Sequence, residues 1–125
     1  MVVLDTNIII DHLRQPSEKS KLRQIEEKIP VKNLAISIIK VQELYEGKST
    51  LNETQERTLL ETVNPLKVLS YTYEVAKLAG ELARDLGRKI EFTDAAIAAT
   101  AILNKAKLLT LNKKDFQGIK NLKLV

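Results

Sequence analysis

Short apolar runs alternate along the chain with longer segments whose apolar residues recur at helical spacing. The short runs predict β-strands at residues 2–4, 34–37, 67–69, 108–111 and 122–125. Short apolar strands that alternate with helices are typical of a parallel sheet covered by helices on both faces. The pattern therefore predicts an α/β fold, with a five-stranded parallel sheet in a single domain that spans residues 1–125.

The segments between the strands predict helices at residues 6–14, 18–28, 38–46, 51–62, 72–86 and 94–104. Pro16, Pro30 and Pro65 fall between these segments and mark their limits. The last helix is apolar almost all round, which indicates a helix packed on several sides. In a parallel sheet of this kind, the functional crevice lies beyond the carboxyl ends of the strands.

Composition narrows the chemistry that the chain can carry out. Its 125 residues are 44% hydrophobic and 29% charged, a balance typical of one globular domain. The absence of cysteine excludes disulfides, thiolate zinc sites and cysteine nucleophiles, and the single histidine disfavours a histidine zinc site or a His-based triad. No apolar stretch is long enough to span a membrane and no signal peptide precedes the first strand, so we expect a cytoplasmic protein.

The chain carries 20 basic and 16 acidic residues, which leave a net charge of +4. Basic side chains cluster at Lys19, Lys21 and Arg23, at Arg84, Arg88 and Lys89, and at Lys113 and Lys114. If four of the acids gather in one pocket, the rest of the surface is more basic than the total indicates and suits a polyanionic substrate. On charge alone, solvated lysine-rich helix faces are the simpler explanation.

Four acids stand near predicted strand ends or helix starts: Asp5, Glu43, Asp94 and Asp115. Each has an ordinary explanation. Asp5 fits a helix N-cap, and Asp94 fits a first helical turn, where the helix dipole favours an anion. Glu43 fits an exposed mid-helix glutamate, and Asp115 fits a turn-forming loop. Brought together on one α/β frame, however, the four predict a hard-cation site for phosphate chemistry.

Four segments, at residues 4–7, 42–47, 94–101 and 109–116, carry a resemblance to a known family. Their order and spacing resemble the successive motifs of PIN-domain ribonucleases, and most closely those of the small VapC-type toxins of toxin–antitoxin pairs. The resemblance runs from Val3 to the last strand, so it covers essentially the whole chain. It implies a PIN-like domain with endoribonuclease activity.

The resemblance also implies roles for individual residues. By the resemblance, the catalytic acids that hold Mg²⁺ or Mn²⁺ are Asp5, Glu43, Asp94 and Asp115. The polar residues that line and support this site are Thr6, Asn7, Thr110 and Asn112. We expect Asp5 and Asp94 to be the principal ligands, with Glu43 and Asp115 completing the site or orienting water.

The chemistry of the acids agrees with this assignment. Clustered carboxylates repel one another unless a cation neutralises them, and Mg²⁺ and Mn²⁺ both prefer oxygen ligands. A bound metal activates water without a histidine base. The expected products of such a reaction carry a 3′-hydroxyl and a 5′-phosphate.

Three residues near these motifs need a separate interpretation. Lys40 departs from the family pattern, in which an uncharged residue is expected, and it lies one turn from Glu43, whose carboxylate it could perturb. Glu91 is expected to be solvated rather than part of the site. His12 is expected to hold a surface or hydrogen-bonded position rather than to bind a metal.

The partners follow from the resemblance as well. It implies an RNA substrate, a homodimer and a cognate antitoxin protein that blocks the site. The expected antitoxin surface is the apolar face of the N-terminal helices, at Ile9, Leu13, Leu22 and Ile25. With only three tyrosines, two phenylalanines and no tryptophan, the chain offers few platforms for unpaired bases, so backbone charge and RNA shape are the expected basis of recognition.

Three alternatives compete with this interpretation. A PIN-fold nuclease of RNA processing or of DNA would share all of these residues, and only a panel of substrates separates it from a toxin. A phosphoacceptor signalling domain would need an aspartate after the third strand, where this chain has Leu69-Ser70-Tyr71. A catalytically inactive binding module is disfavoured because all four acids are present.

Overall fold

A computed structural model describes residues 1–15 and 17–125, with only the backbone of residue 17. The prediction that Pro16 separates two helices therefore lies outside the described residues. Strands and helices alternate along the described chain: β1 (Val2–Leu4), α1 (Thr6–Arg14), α2 (Lys21–Glu26), β2 (Leu34–Ser37), α3 (Ile38–Glu46), α4 (Glu53–Val63), β3 (Lys67–Leu69), α5 (Tyr73–Asp85), α6 (Phe92–Leu103) and β4 (Lys107–Leu109). Short 3₁₀ turns lie at Ser17–Lys19, Val31–Asn33, Lys48–Leu51 and Lys113–Phe116.

The strands form one parallel sheet with the order β3-β2-β1-β4. Val3 of β1 lies beside Ala35 of β2 on one side and beside Leu108 of β4 on the other, so β1 is a central strand. All strands run in the same direction, and their carboxyl ends therefore meet at one edge of the sheet. The predicted α/β architecture with a parallel sheet is confirmed.

The sheet has four strands in the described part, where the apolar pattern predicts five. The segment at residues 122–125 forms a single parallel bridge, between Leu108 and Leu124. Gly118 and Asn121, with φ of 81° and 71°, turn the chain just before this segment, so only its last residues run beside β4. The apolar run correctly indicates contact with the sheet, but the segment is too short to build a ladder.

The sheet is covered on both faces because its side chains alternate. Val2 and Leu4 point to a cluster built with α1, α2 and α4, whose centre includes Ile8 and Leu59. Val3 points to the opposite cluster, which is formed mainly with α6. Side chains of successive strand residues point to opposite faces, so a strand of three apolar residues contributes to both clusters.

Helix α6 is the most buried helix, as its composition predicts. Its seven residues from Ala95 to Ala101 are all buried, and five of them are alanines. Ala95 and Ala99 pack against Val75 and Ala79 of α5. Small side chains allow the two helices to approach closely, and this packing fixes the position of the first turn of α6, which carries Asp94.

Four of the six predicted helices, α2, α4, α5 and α6, have ends that differ from the predicted ones by one to three residues. Helix α2 begins only at Lys21, because the Ser20 hydroxyl accepts a hydrogen bond from the backbone N–H of Arg23 at 3.1 Å and caps it. Helix α6 begins at Phe92, two residues before the predicted start. In the described part of the chain, every helix is too short or too polar to cross a membrane.

The prediction that an antitoxin binds the apolar side chains of the N-terminal helices is wrong for three of its four residues. Ile9, Leu22 and Ile25 are 0%, 2% and 7% exposed and belong to the core under α1 and α2, while Leu13 is partly buried against them. The helical spacing of these residues arises from packing on the sheet. Ile9, Leu22 and Ile25 are therefore not accessible to a partner.

Candidate active site

Asp5 lies directly after β1 and is held against the end of the neighbouring strand, β4. Its backbone N–H donates to the carbonyl of Leu109 in β4 at 3.0 Å, which continues the sheet by one residue. Its Oδ1 accepts from the backbone N–H of Thr6 at 2.7 Å, so Asp5 is the N-cap of α1. Its Oδ2 accepts from the hydroxyl of Thr110 at 2.8 Å. The buried carboxylate is thus fixed at the carboxyl edge of the sheet.

The four predicted support residues contribute unequally. The Asn7 side chain donates to Thr110 Oγ1 at 3.3 Å and to Asp5 Oδ2 at 3.4 Å, and it accepts from the backbone N–H of Leu111 at 3.2 Å. Asn112 donates only its backbone N–H, to Thr110 Oγ1 at 3.0 Å. Asn7 and Thr110 therefore connect the end of β4 to Asp5, whereas the Asn112 side chain is exposed.

Glu43 is turned toward the site by two threonine hydroxyls. Thr6 Oγ1 donates to Glu43 Oε1 at 3.0 Å, and Thr93 Oγ1 donates to Glu43 Oε2 at 2.9 Å. The two threonines lie on α1 and α6, so Glu43 joins three helices. The explanation of Glu43 as a solvated mid-helix residue is therefore wrong. Thr93 is a further residue of the site that the sequence motifs did not indicate.

Lys40 lies at the centre of the acids. Its Nζ is 2.8 Å from Glu43 Oε1, 3.2 Å from Asp5 Oδ1 and 3.3 Å from Asp94 Oδ1, and its side chain is 2% exposed. By contrast, Ile38 at the start of α3 is 45% exposed. The lysine side chain thus enters the interior from the first turn of α3, and its position three residues before Glu43 was the only sequence signal of this contact.

The electrostatics of the group follow from these contacts. Burial lowers the pKa of Lys40, but the three carboxylates around it outweigh burial and raise that pKa above its ordinary value. Burial raises the pKa of Glu43, but the hydrogen bond and charge of Lys40, with the two threonine hydroxyls, leave it below its ordinary value. Lys40 is therefore charged and Glu43 ionised at neutral pH.

The pKa of Asp94 is shifted in the opposite direction from that of Glu43. Burial raises its pKa, and although Lys40 opposes this shift, the charges of Asp5 and Asp115 add to it, so the pKa of Asp94 stays above its ordinary value. Burial and the neighbouring acids therefore disfavour the charged form of Asp94 in spite of its contact with Lys40. An additional cation beside Asp94 would favour that charged form.

Asp115 lies on the other side of Asp94, in the exposed 3₁₀ turn after β4. The turn is held from outside by Arg88, whose guanidinium donates to the carbonyls of Asp115 at 3.1 Å and Gln117 at 2.7 Å. An open cleft of about 270 Å³ lies here, lined by Asp94, Asp115, Arg88, Lys89, Ile90 and Glu91. Asp115 thus faces the site across a cleft with a basic margin.

Two further residues have the surroundings expected for them. His12 Nδ1 is 2.8 Å from the hydroxyl of Ser20, away from the acids, so its hydrogen-bonded position is confirmed. Glu91 is exposed, as expected, although it also lines the cleft beside Asp94.

The donor set suits a hard cation in its chemistry, since carboxylates from β1, α3 and α6 converge on one positive group. The carboxylate oxygens lie 2.8 to 3.3 Å from Lys40 Nζ, which are the distances of ion pairs with an ammonium group. Mg²⁺–oxygen bonds are shorter, at roughly 2.0–2.1 Å. Among the residues that the structure describes, no three Asp, Glu or His side chains already stand at metal-ligand spacing. Metal binding would therefore require side-chain adjustment.

Comparison with known proteins gives consistent results. The profile of the family described as PIN domain matches residues 2–122. A curated protein named ribonuclease VapC2, from Rickettsia felis, is 32% identical over 125 residues, and the match covers 96% of this chain and 92% of that protein.

Solved structures agree in fold over their full length. The DNA-bound VapBC of Salmonella typhimurium has a TM-score of 0.86 with 25% identity, covering 99% of this chain and 96% of that one. VapBC2 of Rickettsia felis, bound to a DNA fragment from the promoter, has a TM-score of 0.80 with 28% identity, covering 100% and 98%.

Replacing Glu43 by glutamine should destabilise the metal-free protein at neutral pH and not at low pH. Because its folded-state pKa is lowered, ionised Glu43 stabilises the fold above the ordinary value of 4.5, and this contribution is lost as pH falls below that value. We expect Glu43→Gln to reduce the free energy of unfolding by about 1–2 kcal/mol near neutral pH, measured by urea denaturation in EDTA.

The matched control is Glu61→Gln, an exposed glutamate on α4, which should change the free energy of unfolding by less than about 0.5 kcal/mol at either pH. A loss in Glu43→Gln that persists undiminished in acid would contradict a role for the Glu43 charge.

Proposed function

The chain belongs to the PIN-domain family, with VapC-type relatives, and on that premise we propose that it is a divalent-metal-dependent endoribonuclease, the toxin of a VapBC-type pair. One observation carries the proposal. The carboxylates of Asp5, Glu43 and Asp94 come from three separate parts of the chain and converge on the ammonium group of Lys40. Gathering like charges in this way is costly for stability, so it indicates a site retained for chemistry.

Asp5, Glu43, Asp94 and Asp115 are the residues that would hold Mg²⁺ or Mn²⁺. When bound, such an ion lowers the pKa of a coordinated water and neutralises charge that develops on the phosphate. The protein's own contribution is orientation: Thr110 fixes Asp5, and hydroxyls from α1 and α6 fix Glu43.

An RNA substrate fits the charge distribution around the cleft. The cleft that contains Asp94 and Asp115 is also lined by Arg88 and Lys89, so positive charge lies next to the acids. Arg88 is engaged with backbone carbonyls, which leaves Lys89 as the side chain best placed to contact a phosphate. Backbone phosphates supply most of the affinity for a nucleic acid without reading its sequence.

An antitoxin partner is supported by the solved relatives. Two of the solved relatives are the DNA-bound VapBC assemblies of Rickettsia felis and Salmonella typhimurium, and another is a toxin–antitoxin complex from Klebsiella pneumoniae. By extension, we propose that the present chain binds a cognate antitoxin, which blocks the acidic cleft. We also propose that the functional form of the toxin is a homodimer.

The first prediction concerns the acids. Purified protein should cleave RNA in Mg²⁺ or Mn²⁺ and lose this activity in EDTA. Asp5→Asn and Asp94→Asn should each reduce the cleavage rate at least about 100-fold, because even outer-shell partners of metal ligands cost 10–100-fold when removed. Gel electrophoresis of end-labelled RNA measures the rates.

Asp85→Asn is the matched control, since Asp85 is exposed on α5 and pairs only with Arg84 in the described structure. It should retain the wild-type rate. Undiminished cleavage in EDTA, or in both site variants, would overturn the assignment of these acids.

The second prediction concerns the cleavage products. If water is the nucleophile, the products carry a 5′-phosphate and a 3′-hydroxyl, and a single 2′-deoxy sugar at the cleaved position leaves cleavage intact. Enzymatic ligation of the products and mass spectrometry test this. Products that end in a 2′,3′-cyclic phosphate would show that the neighbouring 2′-hydroxyl attacks instead.

The third prediction concerns the toxin. Induced expression in bacteria should arrest growth, the Asp94→Asn variant should not, and co-expression of the protein encoded by the adjacent gene should restore growth. Normal growth despite accumulation of active nuclease would favour a PIN-fold enzyme of RNA processing or of DNA over a toxin.

A further inference from the structure

Lys40 occupies the site in a way that the proposed chemistry does not require. A buried ammonium group is unfavourable unless it is paired, and Lys40 is paired three times, with Asp5, Glu43 and Asp94. Among the described residues, Lys40 is the one basic side chain that pairs with these carboxylates. The lysine therefore supplies the positive charge that allows the acids to stay close in the absence of a metal.

The contacts of Lys40 divide the acidic site into two halves. One oxygen of each of three acids faces its ammonium group: Asp5 Oδ1, Glu43 Oε1 and Asp94 Oδ1. The remaining oxygens of Asp5 and Glu43 accept from threonine hydroxyls. In the described structure, Asp94 Oδ2 and the carboxylate of Asp115 are left without hydrogen bonds, and both residues line the open cleft.

We propose that Lys40 is a resident cation that fills one of the two positions four carboxylates can support, so that this chain binds one divalent ion per site. This rests on the proposed metal-dependent function. The divalent ion would be held mainly by Asp94 and Asp115, the acids that line the cleft, while Asp5 and Glu43 are shared with Lys40. Two-metal nucleases place a second ion about 3.5–4 Å from the first, and here the ammonium group of Lys40 supplies the positive charge at that second position.

The number of ions bound tests the proposal without any measurement of cleavage. Free Mn²⁺ is measured by electron paramagnetic resonance during titration of the full chain, for wild type, Lys40→Met and Lys107→Met. Methionine matches the lysine side chain as far as its ε-carbon and lacks the charged ammonium group. Lys107 is an exposed lysine at the amino end of β4, the opposite edge of the sheet from the acids.

We expect one Mn²⁺ per chain for wild type and Lys107→Met and two for Lys40→Met. In EDTA, Lys40→Met should melt several degrees below wild type, because the three acids that pair with Lys40 lose their counter-ion. Mn²⁺ should remove this difference in melting temperature. The melting readout also shows whether this variant is folded.

Each other result has a distinct meaning. Two Mn²⁺ ions in wild type would overturn the role of Lys40 and leave the metal-dependent function standing, and this count does not depend on whether Lys40→Met folds. One ion in both wild type and folded Lys40→Met, with equal affinity, would also overturn it. No Mn²⁺ binding in wild type would contradict the proposed function itself.

Discussion

Repulsion between carboxylates is the constraint on which the site depends. The parallel sheet brings chain segments that are distant in sequence to one edge, and four acids gather there from β1, α3, α6 and the turn after β4. Without compensation, these charges would separate or take up protons. Lys40 satisfies the constraint for three of them, although burial and the charges of Asp5 and Asp115 still hold the pKa of Asp94 above its ordinary value. The proposed divalent cation would favour the charged form of Asp94.

Hydrogen bonds from neighbouring side chains hold the carboxylates of Asp5 and Glu43 in fixed orientations. Thr110 and Asn7 connect Asp5 to the end of β4, and Thr6 and Thr93 connect Glu43 to α1 and α6. Behind them, the alanine-rich α6 packs closely against α5 and the sheet. Asp115 is different, because it lies on an exposed turn that is held through its backbone by Arg88. The site is therefore fixed on three sides and open on the fourth, toward the basic cleft.

The apolar pattern is sufficient to predict the parallel sheet, the helices on both of its faces and the buried α6. Strands that are buried on both faces have continuous apolar runs, and helices packed on several sides are apolar all round, so both have distinctive sequences. It could not distinguish the bridge at Leu124 from a strand, since both are short apolar runs. The acids were identified by motif order, and the N-cap of Asp5 by local chemistry. Lys40 and Thr93 were not recognised as members of the site, because their contacts depend on how α3 and α6 pack. A buried lysine has no local signature that separates it from a solvated one.

The central claim is that the clustered acids hold a divalent cation beside a resident lysine. A crystal structure of the protein grown with MnCl₂, with anomalous data collected at the manganese edge, tests it most directly. The account predicts one anomalous peak bound by the acids, with Lys40 still in contact with Asp5 and Glu43. Two peaks within about 4 Å of each other, with Lys40 displaced, would contradict the role of the lysine. The absence of any peak at the acids would contradict the metal site.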